Sequence, residues 1–156
     1  MSIRRAALQD LEGINRLLRQ VLDVHHEGRP DLFKANAKKY TDEELAVLLR
    51  DEERPVFLFE DEAGEILGYA FCVFQRHEGE NILCDGTTLY IDDLCVDECA
   101  RGKRVGRRLY EHVLNFAKES GCYNVTLNVW ACNPGALAFY RKCGLEIQKY
   151  GMEKIL

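Results

Sequence analysis

Apolar residues recur along the chain with two periods, and the switches between them mark out a succession of strands and helices. Ser2 to Ala6 reads as a short strand. From Leu8 to about Val24, the residues Leu11, Ile14, Leu17, Leu18, Val21 and Leu22 fall three or four apart, the stripe of a helix with one buried face. The run from His25 to Phe33 breaks that stripe, with Gly28 and Pro30 as punctuation, and reads as a loop. Thr41 followed by Glu44, just ahead of Leu45, Leu48 and Leu49, is a capping box, so a second helix starts there and ends near Asp51. Pro55–Glu60 and Ile66–Arg76 are strands joined by the turn Asp61–Gly64, and the polar stretch Gly79–Thr87 connects to a further strand, Thr88–Val96.

The second half repeats the alternation. A helix from Val105 to about Ser120 places Val105, Leu109, Val113 and Phe116 on one face, with Gly121 just past its end. Cys122–Trp130 alternates, Val125, Leu127 and Val129 on one side and Asn124, Thr126 and Asn128 on the other. A helix separates this strand from Thr88–Val96, so the two are expected to run parallel. A last helix spans Pro134–Cys143, with proline in its first turn and Gly144 after it, and Leu145–Leu156 reads as one or two closing strands. There is no repeat, linker or low-complexity segment. The expectation is one α/β (α+β) domain over residues 1–156, with a mixed, mostly antiparallel sheet of six to seven strands and about four helices.

Chemistry concentrates between Tyr90 and Gly106, which reads Y-I-D-D-L-C-V-D-E-C-A-R-G-K-R-V-G and opens a helix. The first N–H groups of a helix have no intrahelical partner and sit at the positive end of its dipole, so they hold phosphate oxygens when a loop lets an anion approach. Gly102 and Gly106 clear that approach, and Arg101, Lys103, Arg104, Arg107 and Arg108 surround it with positive charge.

Composition narrows the class. The net charge of −5 disfavours a nucleic-acid partner. No apolar run approaches the ~20 residues needed to span a bilayer, and nothing near Met1 resembles a signal-peptide core, so a cytoplasmic location is expected. The seven cysteines are odd in number and contain no C-x-x-C pair, which fits reduced thiols rather than a disulfide framework. His25, His26, His77 and His112 lack metal-ligand spacing, and no metal is expected. Acidic residues cluster at Asp42–Glu44, Asp51–Glu53, Glu60–Glu62 and around Asp92, Asp93, Asp97 and Glu98. An acidic chain with one basic loop suits an anionic cofactor and a cationic acceptor.

A second stretch, N-P-G-A-L-A-F-Y-R-K-C-G-L from Asn133 to Leu145, completes a pattern. Arg101-x-x-Arg104-x-Gly106 together with Asn133-x-x-Ala136-x-x-Phe139-Tyr140-x-x-x-Gly144 resembles the GCN5-related N-acetyltransferase (GNAT) superfamily. Its pyrophosphate loop reads Q/R-x-x-G-x-G/A and its later helix N-x-x-A-x-x-F-Y-x-x-x-G. The second match is complete. The first departs at Arg104, where the family usually has glycine.

The resemblance implies a fold and a reaction. Acetyl-coenzyme A would bind with its pyrophosphate on Arg101, Gly102, Lys103, Arg104, Val105, Gly106 and Arg107. Its pantetheine arm would lie along the backbone of Leu94, Cys95 and Val96, with Asn133 and Phe139 beside it. An amine would attack the thioester directly, with Tyr140 as the acid that protonates the leaving thiolate. Asp92 or Asp93, facing opposite sides of a strand, would supply the base, with Asp92 preferred; Asn128 stands where some relatives carry a basic glutamate. The segment with His25, His26, Arg29 and Phe33 would help wall the acceptor pocket. The expected acceptor is a primary amine of a small molecule or peptide, with a cationic one compatible with the acidic clusters; no nucleic-acid or membrane partner is expected, and the resemblance is compatible with a homodimer. The alternative is a non-catalytic acyl-coenzyme A-binding module. A nucleotide-phosphate enzyme is disfavoured, because the turn lacks G-K-S/T.

Overall fold

The computed structural model of the chain describes all 156 residues. Strands β1 (Ser2–Arg5), β2 (Val56–Glu60), β3 (Ile66–His77), β4 (Gly86–Val96) and β5 (Asn124–Leu127) lie side by side in sequence order. Helices α1 (Leu11–Gly28), α2 (Asp42–Leu48), α3 (Val105–Glu119) and α4 (Pro134–Lys142) flank them. The first three pairings are antiparallel and β4 pairs β5 in parallel, as a crossover through α3 requires.

The sheet buries side chains on both faces, so β2 and the start of β3 are continuously apolar. Val56 and Leu58 pack with Ile14, Leu17 and Leu45 of α1 and α2, while Phe57 and Phe59 pack with Leu109 and Val113 of α3. Between β4 and α3 there is no spare room. A Cβ on Gly68 would lie 2.8 Å from the Cys95 carbonyl oxygen and 2.9 Å from Leu109 Cδ1. Gly68→Ala is therefore expected to lower stability by about 1–3 kcal/mol, read as a reduced denaturant midpoint at unchanged slope.

Three expectations are corrected. α1 continues to Gly28, with the Arg29 N–H bonding the His25 carbonyl, so His25 and His26 ride on its last turn instead of a loop. β5 covers only Asn124–Leu127 of the expected Cys122–Trp130 strand. No strand forms after Leu145, so the sheet has five strands rather than six to seven. An alternating pattern makes a strand only where a neighbouring backbone pairs with it.

One irregularity shapes the rest. The β3–β4 register slips so that Phe71 faces Asp93 while Cys72 faces Ile91, leaving Asp92 as the extra residue of a bulge. Leu89 and Ile91 pack on the α3 side, but Cys95 packs on the α1 side, so the alternation of β4 changes phase there. Asp92 and Asp93 consequently lie on the same face, not on opposite faces. Pairing with β5 also stops there, at Ile91 opposite Leu127, and β4 continues with one free edge.

Candidate active site

The free edge of β4 is one wall of the site. The Asp97 N–H bonds the Leu67 carbonyl at 2.9 Å, which sets the phase of the β3–β4 ladder. Antiparallel pairing alternates, so Leu94 and Val96 turn their N–H and C=O groups away from β3, into the gap left by β5. Backbone polar groups left beside an apolar cleft are costly unless something pairs with them.

The second wall is the start of α3. Its N-cap, Arg104, provides no side-chain cap, and the N–H groups of Gly102, Arg104, Val105, Gly106 and Arg107 bond no other protein group. Arg104 has φ 62° and ψ 15°, a left-handed conformation that an L side chain adopts at a cost, and Gly102 has φ 81°. The loop thus keeps the backbone shape that glycine would adopt, despite arginine at that position. Gly106 closes the turn onto β4: a Cβ there would lie 3.2 Å from Val96 Cγ2 and 3.4 Å from Phe139 Cζ. Arg108 stands apart, its guanidinium 4.7 Å above the Phe59 ring.

Between these walls runs a groove of about 610 Å³, bordered by Leu94, Val96, Arg101, Gly102, Arg104, Gly106 and Arg107 on one side and Asn133, Phe139 and Tyr140 of α4 on the other. Asn133 caps α4, its Oδ1 accepting from the Ala136 N–H at 3.1 Å. Tyr140 lies against Phe139 and Tyr110. Burial, with the charge of Asp93 next in weight, holds its phenol well above the ordinary pKa.

Asp93, one residue before the groove-lining Leu94, is half-buried and hydrogen-bonded by the Tyr69 hydroxyl at 2.8 Å. Burial raises its carboxyl pKa above the usual range, opposed by the nearby charge of Lys39. Asp92 is already engaged: Lys39 Nζ lies 2.8 Å from it and the Tyr40 hydroxyl 3.2 Å. Burial works against the Lys39 ammonium, but Asp92 and Asp93 outweigh it and hold its pKa above normal. Between the two carboxylates, Asp93 is the one whose charge reaches Tyr140. Cys95, two residues on, is no competing nucleophile: burial pushes its thiol up to about 12 and its Sγ faces the Leu17 carbonyl.

The segment expected to wall the acceptor is aromatic. The His25 ring lies 5.0 Å from that of Phe33, which meets Trp130 edge-on at 5.1 Å. Burial lowers the His25 pKa. His26 and Arg29 are spent on local structure, His26 Nδ1 sitting 2.7 Å from the Phe33 carbonyl oxygen and Arg29 gripping Asp31 and Glu153. Lys39, Tyr40, Tyr69 and Trp130 escaped the sequence reading. Lys39 and Tyr40 come from the segment before α2, Tyr69 from β3 and Trp130 from the segment after β5, and they meet only through long-range packing, so no local motif announces them.

A model of the acetyltransferase (GNAT) family matches residues 18–145. Glucosamine 6-phosphate N-acetyltransferase 1 of Oryza sativa subsp. japonica is 36% identical over 102 residues, 65% of this chain and 58% of the relative. The peptidyl-lysine N-acetyltransferase YjaB of Salmonella typhimurium is 24% identical over 147 residues, 94% of this chain and 84% of the relative. A mutant of the BH1408 protein from Bacillus halodurans superposes with a TM-score of 0.95 at 33% identity, covering 100% of this chain and 99% of that one. The matched stretches span between 34% and 64% of the plant glucosamine 6-phosphate acetyltransferases. No helix is long and apolar enough to cross a membrane.

Proposed function

Because this chain belongs to the acetyltransferase (GNAT) family, we propose that it transfers the acetyl group of acetyl-coenzyme A to a primary amine by direct attack. One observation carries the reading: the unpaired β4 edge and the uncapped N-terminus of α3 share a groove that is bordered by Tyr140, a residue within reach of the charge of Asp93. The groove fits the cosubstrate part by part. The free amides of Gly102 and of Arg104 to Arg107, with Arg101, Lys103, Arg104 and Arg107 around them, suit a pyrophosphate. The turned-out N–H and C=O groups of Leu94 and Val96 suit the amides of a pantetheine arm, as in strand addition at a sheet edge.

Acetyl-coenzyme A supplies, when bound, an activated thioester, and the products are an amide and a free thiol. The chain's own residues manage the protons. An acceptor amine rests as ammonium, with a lysine-like pKa of about 10.4, and Asp93 takes its proton so that the nitrogen lone pair can attack. Tyr140, held protonated by burial, gives its proton to the departing sulfur. The high thiol pKa of Cys95 favours direct transfer over a covalent acyl-enzyme. Asp92 and Asp93 draw a cationic amine inward, and His25, Phe33 and Trp130 flank it. The names of the rice and Salmonella relatives point to a sugar-phosphate amine and to peptide lysine respectively, both of this acceptor class.

The test is a titration with coenzyme A and with ATP. Coenzyme A is expected to bind and to displace any ATP; ATP binding that coenzyme A fails to displace would overturn the assignment. Arg104→Gly sharpens it. That variant is expected to melt no lower than the parent, because relieving a left-handed residue regains about 1–2 kcal/mol against about 0.4–1 kcal/mol of added unfolded-state entropy. Its coenzyme A affinity is expected to fall about five- to tenfold, roughly the worth of one charged contact, with a weaker salt dependence.

A further inference from the structure

At one point α1 comes down onto the sheet. A Cβ on Gly13 would fall 2.6 Å from Ile66 Cδ1, so this glycine lets the helix settle on the first residue of β3. Arg16 and Gln20 follow at spacings of three and four residues, on the same side of α1. Both side chains reach the segment that leaves β4. The Arg16 fork is divided: Nη1 bonds Asp97 Oδ2, and Nη2 donates to the Ile66 carbonyl at 2.7 Å. Gln20 Oε1 accepts from the Glu98 N–H at 3.3 Å.

Asp97 joins strand to loop. Its N–H closes the β3–β4 ladder on the Leu67 carbonyl, and its Oδ1 accepts from the Cys99 N–H at 3.0 Å, capping the 3₁₀ turn Glu98–Ala100. The backbone then steps forward through two bonds, from the Ala100 N–H to the Asp97 carbonyl at 2.9 Å and from the Lys103 N–H to the Ala100 carbonyl at 3.2 Å. The free amides of Gly102 and of Arg104 to Arg107 begin here. Asp97 is only 4% exposed, whereas Asp51 makes the same two-residue turn bond, to the Glu53 N–H, while exposed. Burial works against the Asp97 carboxylate, but bonds from Cys99 and Arg16 outweigh it and hold its pKa below the ordinary range. Arg16 is the one cation paired with it.

We propose that Arg16 is a positioning residue of the cosubstrate site: through Asp97 it holds the turns from Asp97 to Arg104 so that the free amides beyond them converge on the pyrophosphate. The proposal rests on the acetyl-coenzyme A reading above. Hydrogen bonds to a phosphate weaken steeply when donors are misaimed, so affinity depends on how firmly the loop is set beforehand. Arginine suits the task because its planar fork meets a carboxylate and a carbonyl at once, which a lysine ammonium does not reproduce.

The test uses ligands that share the pantetheine arm and differ in the pyrophosphate. Coenzyme A and dephospho-coenzyme A carry it; pantetheine does not. Dissociation constants are measured on the intact protein, by calorimetry for the first two and by ligand-detected NMR for pantetheine, in the parent, Arg16→Met and Arg16→Lys. Arg16→Met is expected to weaken coenzyme A and dephospho-coenzyme A equally, by about tenfold, the worth of one charge-assisted contact. Pantetheine affinity is expected to stay within about twofold, which a general loss of structure would not allow. Arg16→Lys keeps the charge beside Asp97 and loses the fork, so a loss of about threefold with the same ligand pattern is expected; it carries the comparison if circular dichroism shows Arg16→Met unfolded. Unchanged coenzyme A affinity, or an equal loss for all three ligands, would overturn the proposal and leave Arg16–Asp97 an ordinary structural ion pair. A parent that bound no coenzyme A would overturn the acetyl-coenzyme A reading and this proposal with it, which tells the two failures apart.

Discussion

Replacing Tyr140 with phenylalanine is expected to lower kcat by about 100-fold or more, the usual worth of a positioned general acid, while coenzyme A affinity stays within about twofold of the parent. The split follows from where the two parts of the residue sit. The ring packs against Phe139 and Tyr110 and borders the groove, and phenylalanine preserves that packing. The hydroxyl alone is removed. Burial and the charge of Asp93 hold that hydroxyl protonated far above neutral pH, so its titration does not shape the activity profile below pH ~10. Equal losses in kcat and in coenzyme A affinity would instead assign Tyr140 to binding.

Asp93→Asn is expected to cost a similar factor at neutral pH and to change two pH profiles in opposite senses. In the parent, kcat/KM should rise with pH through an acidic limb set above the ordinary carboxylate range, because burial raises the Asp93 pKa and only the ionised form accepts a proton. The variant should lack that limb. Stability moves the other way. A carboxyl whose folded pKa exceeds its unfolded value binds its proton more tightly when folded, so parent stability declines as pH rises through the window between the two. Above that window the ionised group costs stability that asparagine does not, so the variant should melt higher at neutral pH and converge with the parent in acid. Lys39, Asp92, Tyr69, Tyr140 and His25 face the same carboxylate. Because burial lowers the His25 pKa toward the same region, His25→Gln serves as the control and should keep the limb.

Legibility divided along sequence distance. The loop from Arg101 to Arg107 and the helix from Asn133 to Tyr140 are each contiguous, so a resemblance to family motifs was readable within short windows, and the structure sets both along one groove. The capping box at Thr41 and Glu44 forms as its local pattern indicates. The bulge at Asp92 has no such signature: I-D-D-L reads as plain alternation, and only pairing with Phe71 and Cys72 inserts the extra residue. That insertion turned both carboxylates to one face, gave Asp92 to Lys39 and left Asp93 beside Tyr140. Likewise the left-handed Arg104 is visible only once α3 and β4 are packed, because nothing in arginine favours it. The closing strands failed for a related reason. Residues 146–156 have the composition of a strand but no backbone hydrogen-bond partner within their own chain.

The measurement closest to the central claim is release of free coenzyme A thiol from acetyl-coenzyme A by the intact protein, offered amino sugars and their phosphates, polyamines, amino acids, aminoglycosides and lysine-bearing peptides. Acetyl transfer predicts thiol release that depends on the amine, yields one acetylated amine per thiol and collapses in Tyr140→Phe. Tight coenzyme A binding with no amine-dependent release from any class would contradict it, and would make the groove that of a binding module rather than an enzyme.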